Sequence, residues 1–121
     1  MRKRQTPASA DWHGRTLVDT AGRKIGRLQD VYVDVETDEP VFATVRSGLL
    51  ARRRTFVPLR EISVGPHELH AVVTRHQVRS APSIELHGPG LSPSDEAALY
   101  AHFGMRYRPI ETESGRRLAR R

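Results

Sequence analysis

Residues 24–35 read Lys-Ile-Gly-Arg-Leu-Gln-Asp-Val-Tyr-Val-Asp-Val, KIGRLQDVYVDV. Val31, Val33 and Val35 alternate as one face of a strand does, but Leu28 has the opposite parity and Ile25 switches again. With a side-chain period of two, those residues fall on opposite faces unless extra residues intervene. Two local irregularities, one near Gly26 and one near Gln29-Asp30, restore a common apolar face and bend the strand. Such bends carry a strand round the corner of a small barrel. A helix over 24–35 would have to accommodate Gly26 and a valine-rich half, both unfavourable.

Working outward, 15–19 reads as a preceding strand, joined to 24–35 by a Thr20-Ala21-Gly22-Arg23 turn. Downstream, 36–40 is an acidic turn and 41–46 a strand. Val41, Ala43 and Val45 lie on one side of it, with Phe42, Thr44 and Arg46 on the other. Residues 47–53 connect to a strand at 55–59, whose Pro58 cannot donate to a ladder and marks an end, bulge or edge. Ile62 and Val64 continue the apolar series, 65–68 turns, and 69–74 alternates as a last strand. Short strands with turn signals and no helical period argue for a small antiparallel barrel or sandwich. After Thr74, 75–80 suits one helical turn with Val78 inward. A helix at 92–103 is the clearest single element. Ser92 suits its N-cap, Pro93 its first position and Asp95 the third position of a capping box, and Gly104 is the stop. Ala98, Leu99 and Phe103, with Tyr100 beside them, form its apolar face.

The 121 residues fit one domain, and the absence of cysteine excludes disulfides, thiolate metal sites and a cysteine nucleophile. It also suits a reducing, cytoplasmic setting. No run reaches the about 18 apolar residues of a membrane span, and the basic start lacks the apolar stretch of a signal peptide. Net charge is +6, with 20 Lys+Arg against 14 Asp+Glu. Seven of the cations are Arg2, Lys3, Arg4, Arg116, Arg117, Arg120 and Arg121, so the body carries 20 − 7 = 13 against 14. The basicity belongs to two ends. Residues 1–10 and 105–121 are therefore expected to be solvated basic tails. Order is expected from Trp12, a lid on the core.

Val18-Asp19-Thr20-Ala21-Gly22-Arg23-Lys24-Ile25-Gly26-Arg27-Leu28, then Asp30-Val31-Tyr32-Val33-Asp34, resemble the PRC-barrel family, named after the H subunit of photosynthetic reaction centres. Pro40 before a strand, Phe56-Val57-Pro58-Leu59 and Gln77-Val78-Arg79-Ser80-Ala81-Pro82 complete the ordered set. Leu91-Ser92-Pro93 and residues 100–104 resemble the segment that trails the barrel in bacterial stand-alone members. Thr20-Ala21-Gly22 departs from the more usual acidic turn. The resemblance implies a mainly β fold, a six-stranded antiparallel PRC-type barrel over 11–83, with a linker and one C-terminal α-helix over 84–104. It also implies a non-catalytic protein-interaction module that forms homodimers, with no cofactor and no shared catalytic residues.

Several residues are candidates for a recognition surface. Tyr32 and Asp34 lie opposite the valine face and are expected to point outward, Tyr32 as a partner or dimer anchor. Phe42 joins that surface. Leu49 and Leu50 beside Arg52, Arg53 and Arg54 make an apolar spot with a cationic rim, as interfaces do. For the arginines alone, solvation of a hairpin comes first, a partner's acidic patch second and nucleic acid third. An RNA- or ribosome-associated factor gripping phosphates through both tails and Arg52–Arg54 is the alternative function. Peripheral membrane contact is weaker, for want of an apolar anchor. Asp30, Asp34, Glu36 and Asp38 read as a solvated acidic rim. His13, His67, His70, His76, His87 and His102 have no metal-site spacing. No nucleophile elbow, metalloprotease pair or phosphate loop occurs, so an enzyme is not expected.

Overall fold

A computed structural model describes residues 11–46, 55–84 and 90–121. Its strands are β1 (Thr16–Val18), β2 (Lys24–Asp34), β3 (Pro40–Arg46), β4 (Thr55–Pro58), β5 (Ser63–Val64), β6 (Glu68–His70) and β7 (Leu118–Arg120); its helices are α1 (Arg75–Arg79) and α2 (Pro93–His102). The described strands form one mixed sheet in the order β4-β3-β2-β1-β6-β5, and β7 adds to β2. The fold is mainly β, as expected, with two amendments. Among the described residues there are seven strands rather than six, and β1 pairs with β6 in parallel, so the sheet is not wholly antiparallel. No described helix is long and apolar enough to cross a membrane.

Both irregularities expected in β2 are present. Leu17 pairs with Gly26 and Val18 with Lys24, which leaves Ile25 as the extra residue; Leu28 pairs with Val45 and Asp30 with Thr44, which leaves Gln29 as another. Leu28 and Val31 consequently share a face with Val45 and Ala43, since directly opposed residues project to the same side. At Gly26 the backbone passes so close to β3 that a Cβ would stand 2.6 Å from the Arg46 carbonyl oxygen.

The β1–β2 turn is tied down by Asp19. Its Oδ1 accepts the N–H groups of Ala21 and Arg23, and its Oδ2 accepts that of Arg75 at the start of α1. Burial alone would raise the pKa of this carboxyl; the three N–H donors outweigh it and hold the pKa below the usual value. Thr74 is not strand but the N-cap of α1, in a reciprocal capping box with Gln77. Val78 points inward, as expected.

At α2, Ser92 accepts from the Asp95 N–H, Pro93 opens the helix and Gly104 follows its end at φ 68°. The reciprocal capping bond from Asp95 is not formed. Leu99, Tyr100 and Phe103 are buried. Phe42 meets the rings of Tyr100 and Phe103 at centroid distances of 5.5 and 6.0 Å. The helix therefore covers the sheet face that carries Phe42. Trp12 joins the core.

Candidate functional site

That covering corrects two surface assignments. Tyr32 and Phe42 pair across β2 and β3, and both are 0% exposed. Tyr32 packs against the Phe56 ring at 5.4 Å. Strand alternation correctly sets them opposite the valines, but that second face is the floor under α2 rather than solvent. Leu49, Leu50, Arg52, Arg53 and Arg54 lie outside the described residues, as does the 1–10 segment.

The most concentrated polar chemistry in the described chain sits where α2, β2 and β7 meet. The expectation of a solvated tail over 105–121 is corrected there. Leu118 is buried, and β7 runs antiparallel to β2 through the pairs Tyr32–Arg120, Val33–Ala119 and Asp34–Leu118. Arg117 places one guanidinium nitrogen 2.9 Å from Asp34 Oδ2 and 2.8 Å from Glu36 Oε1, while its Nε donates to the Arg108 carbonyl. Glu36 raises the Arg117 pKa most, burial opposes, and Asp34 adds to the rise. Burial pushes the Asp34 carboxyl up, but Arg117 and the N–H groups of Glu36 and Thr37 pull it lower still, below the ordinary carboxylate value.

Glu96 completes the junction from α2. It is fully buried and accepts the N–H groups of Arg117 and Leu118 and the hydroxyl of Tyr107, the last at 2.7 Å. Burial first, then the neighbouring carboxylate charges, push the Tyr100 hydroxyl up to about 12. Tyr107 also rises to about 12, through burial and then its bond to Glu96. Every carboxylate oxygen named here faces a donor from the same chain. The arrangement fastens chain segments to one another.

Glu96 lies in the first turn of α2, where an acid suits the positive helix end, and Asp34 was read as part of a solvated rim. The pairing of these residues with the last five of the chain was missed. The only sequence signal was the apolar pair Leu118-Ala119 between arginines, too short to distinguish from a charged tail.

Elsewhere, β4 and β5 end the strand order, and Val64 on β5 is 53% exposed, with Val72 exposed just beyond β6. His102 Nε2 lies 2.7 Å from the Gln77 carbonyl oxygen, linking the two helices. Among the described residues no group of three or more His, Asp or Glu side chains is arranged to hold a metal.

Comparison with known proteins bears on this architecture. No curated protein sequence matches the chain. The PRC-barrel domain matches over residues 8–77. That span takes in the bulged β2, the Asp19-fastened turn and the strands through β6, so the chain belongs to the PRC-barrel family.

Proposed function

We propose that this chain is a non-catalytic PRC-barrel adaptor, cytoplasmic and homodimeric, whose exterior recognises another protein. The observation that supports it is the use made of the buried charged groups. Asp19, Asp34, Glu96 and Arg117 each bind another segment of the same chain, which is structural chemistry. Recognition on this reading uses the exposed valines at the β5–β6 end; the sequence adds as a candidate the Leu49-Leu50 pair with Arg52–Arg54, which lies between β3 and β4 in chain order and outside the described residues.

Light scattering coupled to size exclusion, at tens of micromolar protein, tests the assembly. A mass twice the 13.6 kDa of one chain is expected, and a strict monomer removes the homodimer. Crosslinking in cells at moderate salt, comparing the chain with its Leu49→Asp/Leu50→Asp variant, tests the surface. Loss of one defined protein partner is expected; an unchanged crosslinking pattern would sink that surface. The RNA reading has less to draw on, because Arg117 and Arg121 already pair with carboxylates. RNA binding that weakens steeply with salt would reinstate it.

A further inference from the structure

Residues 109–116 link α2 and its trailing turn to β7; they lie beside Gly90 and Pro93, but among the described residues their backbone hydrogen bonds stay within the segment. The Gly115 N–H donates to the Thr112 carbonyl and hydroxyl, and the Arg116 N–H to the Ser114 hydroxyl. The segment is largely exposed. The next residues are anchored densely. Arg117 reaches Asp34 and Glu36, the N–H groups of Arg117 and Leu118 reach Glu96, Leu118 is buried, and β7 lies in register along the end of β2. None of these anchoring partners belongs to 109–116.

From this contrast we infer that β7 is an exchangeable strand, docking on β2 of a second copy while that copy returns its own. The inference rests on the homodimer reading and specifies its geometry. Every anchor contact re-forms identically between copies, so exchange sacrifices none of them. Only the course of the connection changes. Eight extended residues reach at most about 29 Å, enough to cross to a neighbouring molecule. Swapping an identical element through such a connection is a low-cost route to a dimer. The bound strand is specific in chemistry: an arginine for the Asp34–Glu36 pair, then a leucine for the buried slot. β2 thus takes an extended Arg-Leu segment supplied by another copy.

The chain contains no cysteine, so engineered thiols report without interference. Val33 and Ala119 are directly paired. Single variants Val33→Cys and Ala119→Cys, unfolded together, refolded and oxidised, should give a disulfide-linked heterodimer on a non-reducing gel. Unmodified chains carrying two different isotope labels, refolded as a mixture, should show Val33-to-Ala119 methyl contacts between copies even if a cysteine variant misfolds. Those intermolecular contacts together with a doubled mass support exchange. A doubled mass with only intramolecular contacts overturns exchange and leaves the homodimer standing. A single-chain mass overturns both.

Discussion

Arg117 and Asp34 stand 83 positions apart in the chain and 2.9 Å apart in space. The pair closes the last strand onto the second, with Glu36 on the same guanidinium nitrogen. Replacing Arg117 by alanine leaves Asp34, largely buried, without its cation. Removing one partner of a buried pair costs about 3–5 kcal/mol, and the exposure of Glu36 puts this case near about 3. Urea unfolding should show that loss. Arg117→Lys should recover only part of it, because an ammonium lacks the fork that serves Asp34, Glu36 and the Arg108 carbonyl together.

Glu96 gives a sharper local readout. In Glu96→Leu both acceptor oxygens are lost to the N–H donors of Arg117 and Leu118. Leaving such buried groups unsatisfied costs about 1–3 kcal/mol. Hydrogen exchange should speed up at the Arg117 and Leu118 amides by far more than at β3. Equal loss of protection in both regions would mean that Glu96 supports the whole fold rather than the C-terminal strand.

The acid limb of stability comes from Asp19 and Asp34. Both have folded-state pKa values below the ordinary 3.8, so their contributions are present above that value and disappear as pH falls through the lower folded values. Stability should be level near neutrality and drop below about pH 4, with Asp34→Asn flattening part of the drop. At the other extreme, Tyr100 and Tyr107 are raised from 10.0 to about 12. Their contribution is complete below pH 10 and is lost as pH rises through 12. Tyrosinate absorbance should place both hydroxyls near 12; titration of both near 10 would contradict the buried junction.

The path of β2 was legible because bulges leave a parity signature. Ile25, Leu28 and Val31 cannot share a face in a regular strand, and extra residues at Ile25 and Gln29 are where that mismatch requires them. Turn and cap residues such as Ser92 and Gly104 were legible because their chemistry is local. What covers the second face of the sheet is not local. Tyr32 and Phe42 alternate with valines whether water or a helix lies beyond, and only the docking of Tyr100 and Phe103 decides which. The C-terminal arginines were obscured for the same reason. A basic tail and an ion-paired strand share one composition, and the acids that distinguish them lie more than eighty positions away for Arg117.

Phe42 acts through the core, so its replacement should lower stability before it alters any recognition. Phe42→Ala empties the space between Phe56 and the rings of α2. Truncating a buried phenylalanine costs about 3–5 kcal/mol. Calorimetry should show the lower melting temperature together with weaker near-ultraviolet dichroism from the surrounding aromatics. A fully stable variant with impaired partner capture would return Phe42 to the surface role expected from strand alternation.

Gly26 tests the close approach of the two central strands. Its conformation is not the issue; the space is, since a Cβ would lie 2.6 Å from the Arg46 carbonyl oxygen and 3.2 Å from the Val45 Cβ. Backbone cannot swing aside as a side-chain tip can, so β2 and β3 must separate at the pair Arg27–Arg46. Gly26→Ala should therefore destabilise the fold by about 1–3 kcal/mol, the range for forcing atoms into well-packed space. Gly26→Val should cost more, since two further methyl groups enter the same gap. Gly22, at φ 80°, offers the contrasting case: nothing lies within 4 Å of its Cβ position, and its cost on substitution comes from backbone conformation alone. D-alanine introduced by chemical ligation tests that origin. It should be tolerated at Gly22, where a positive φ suits it and strains L-alanine. An undiminished stability of Gly26→Ala would mean that the close approach of the Arg46 carbonyl does not set the requirement for glycine there.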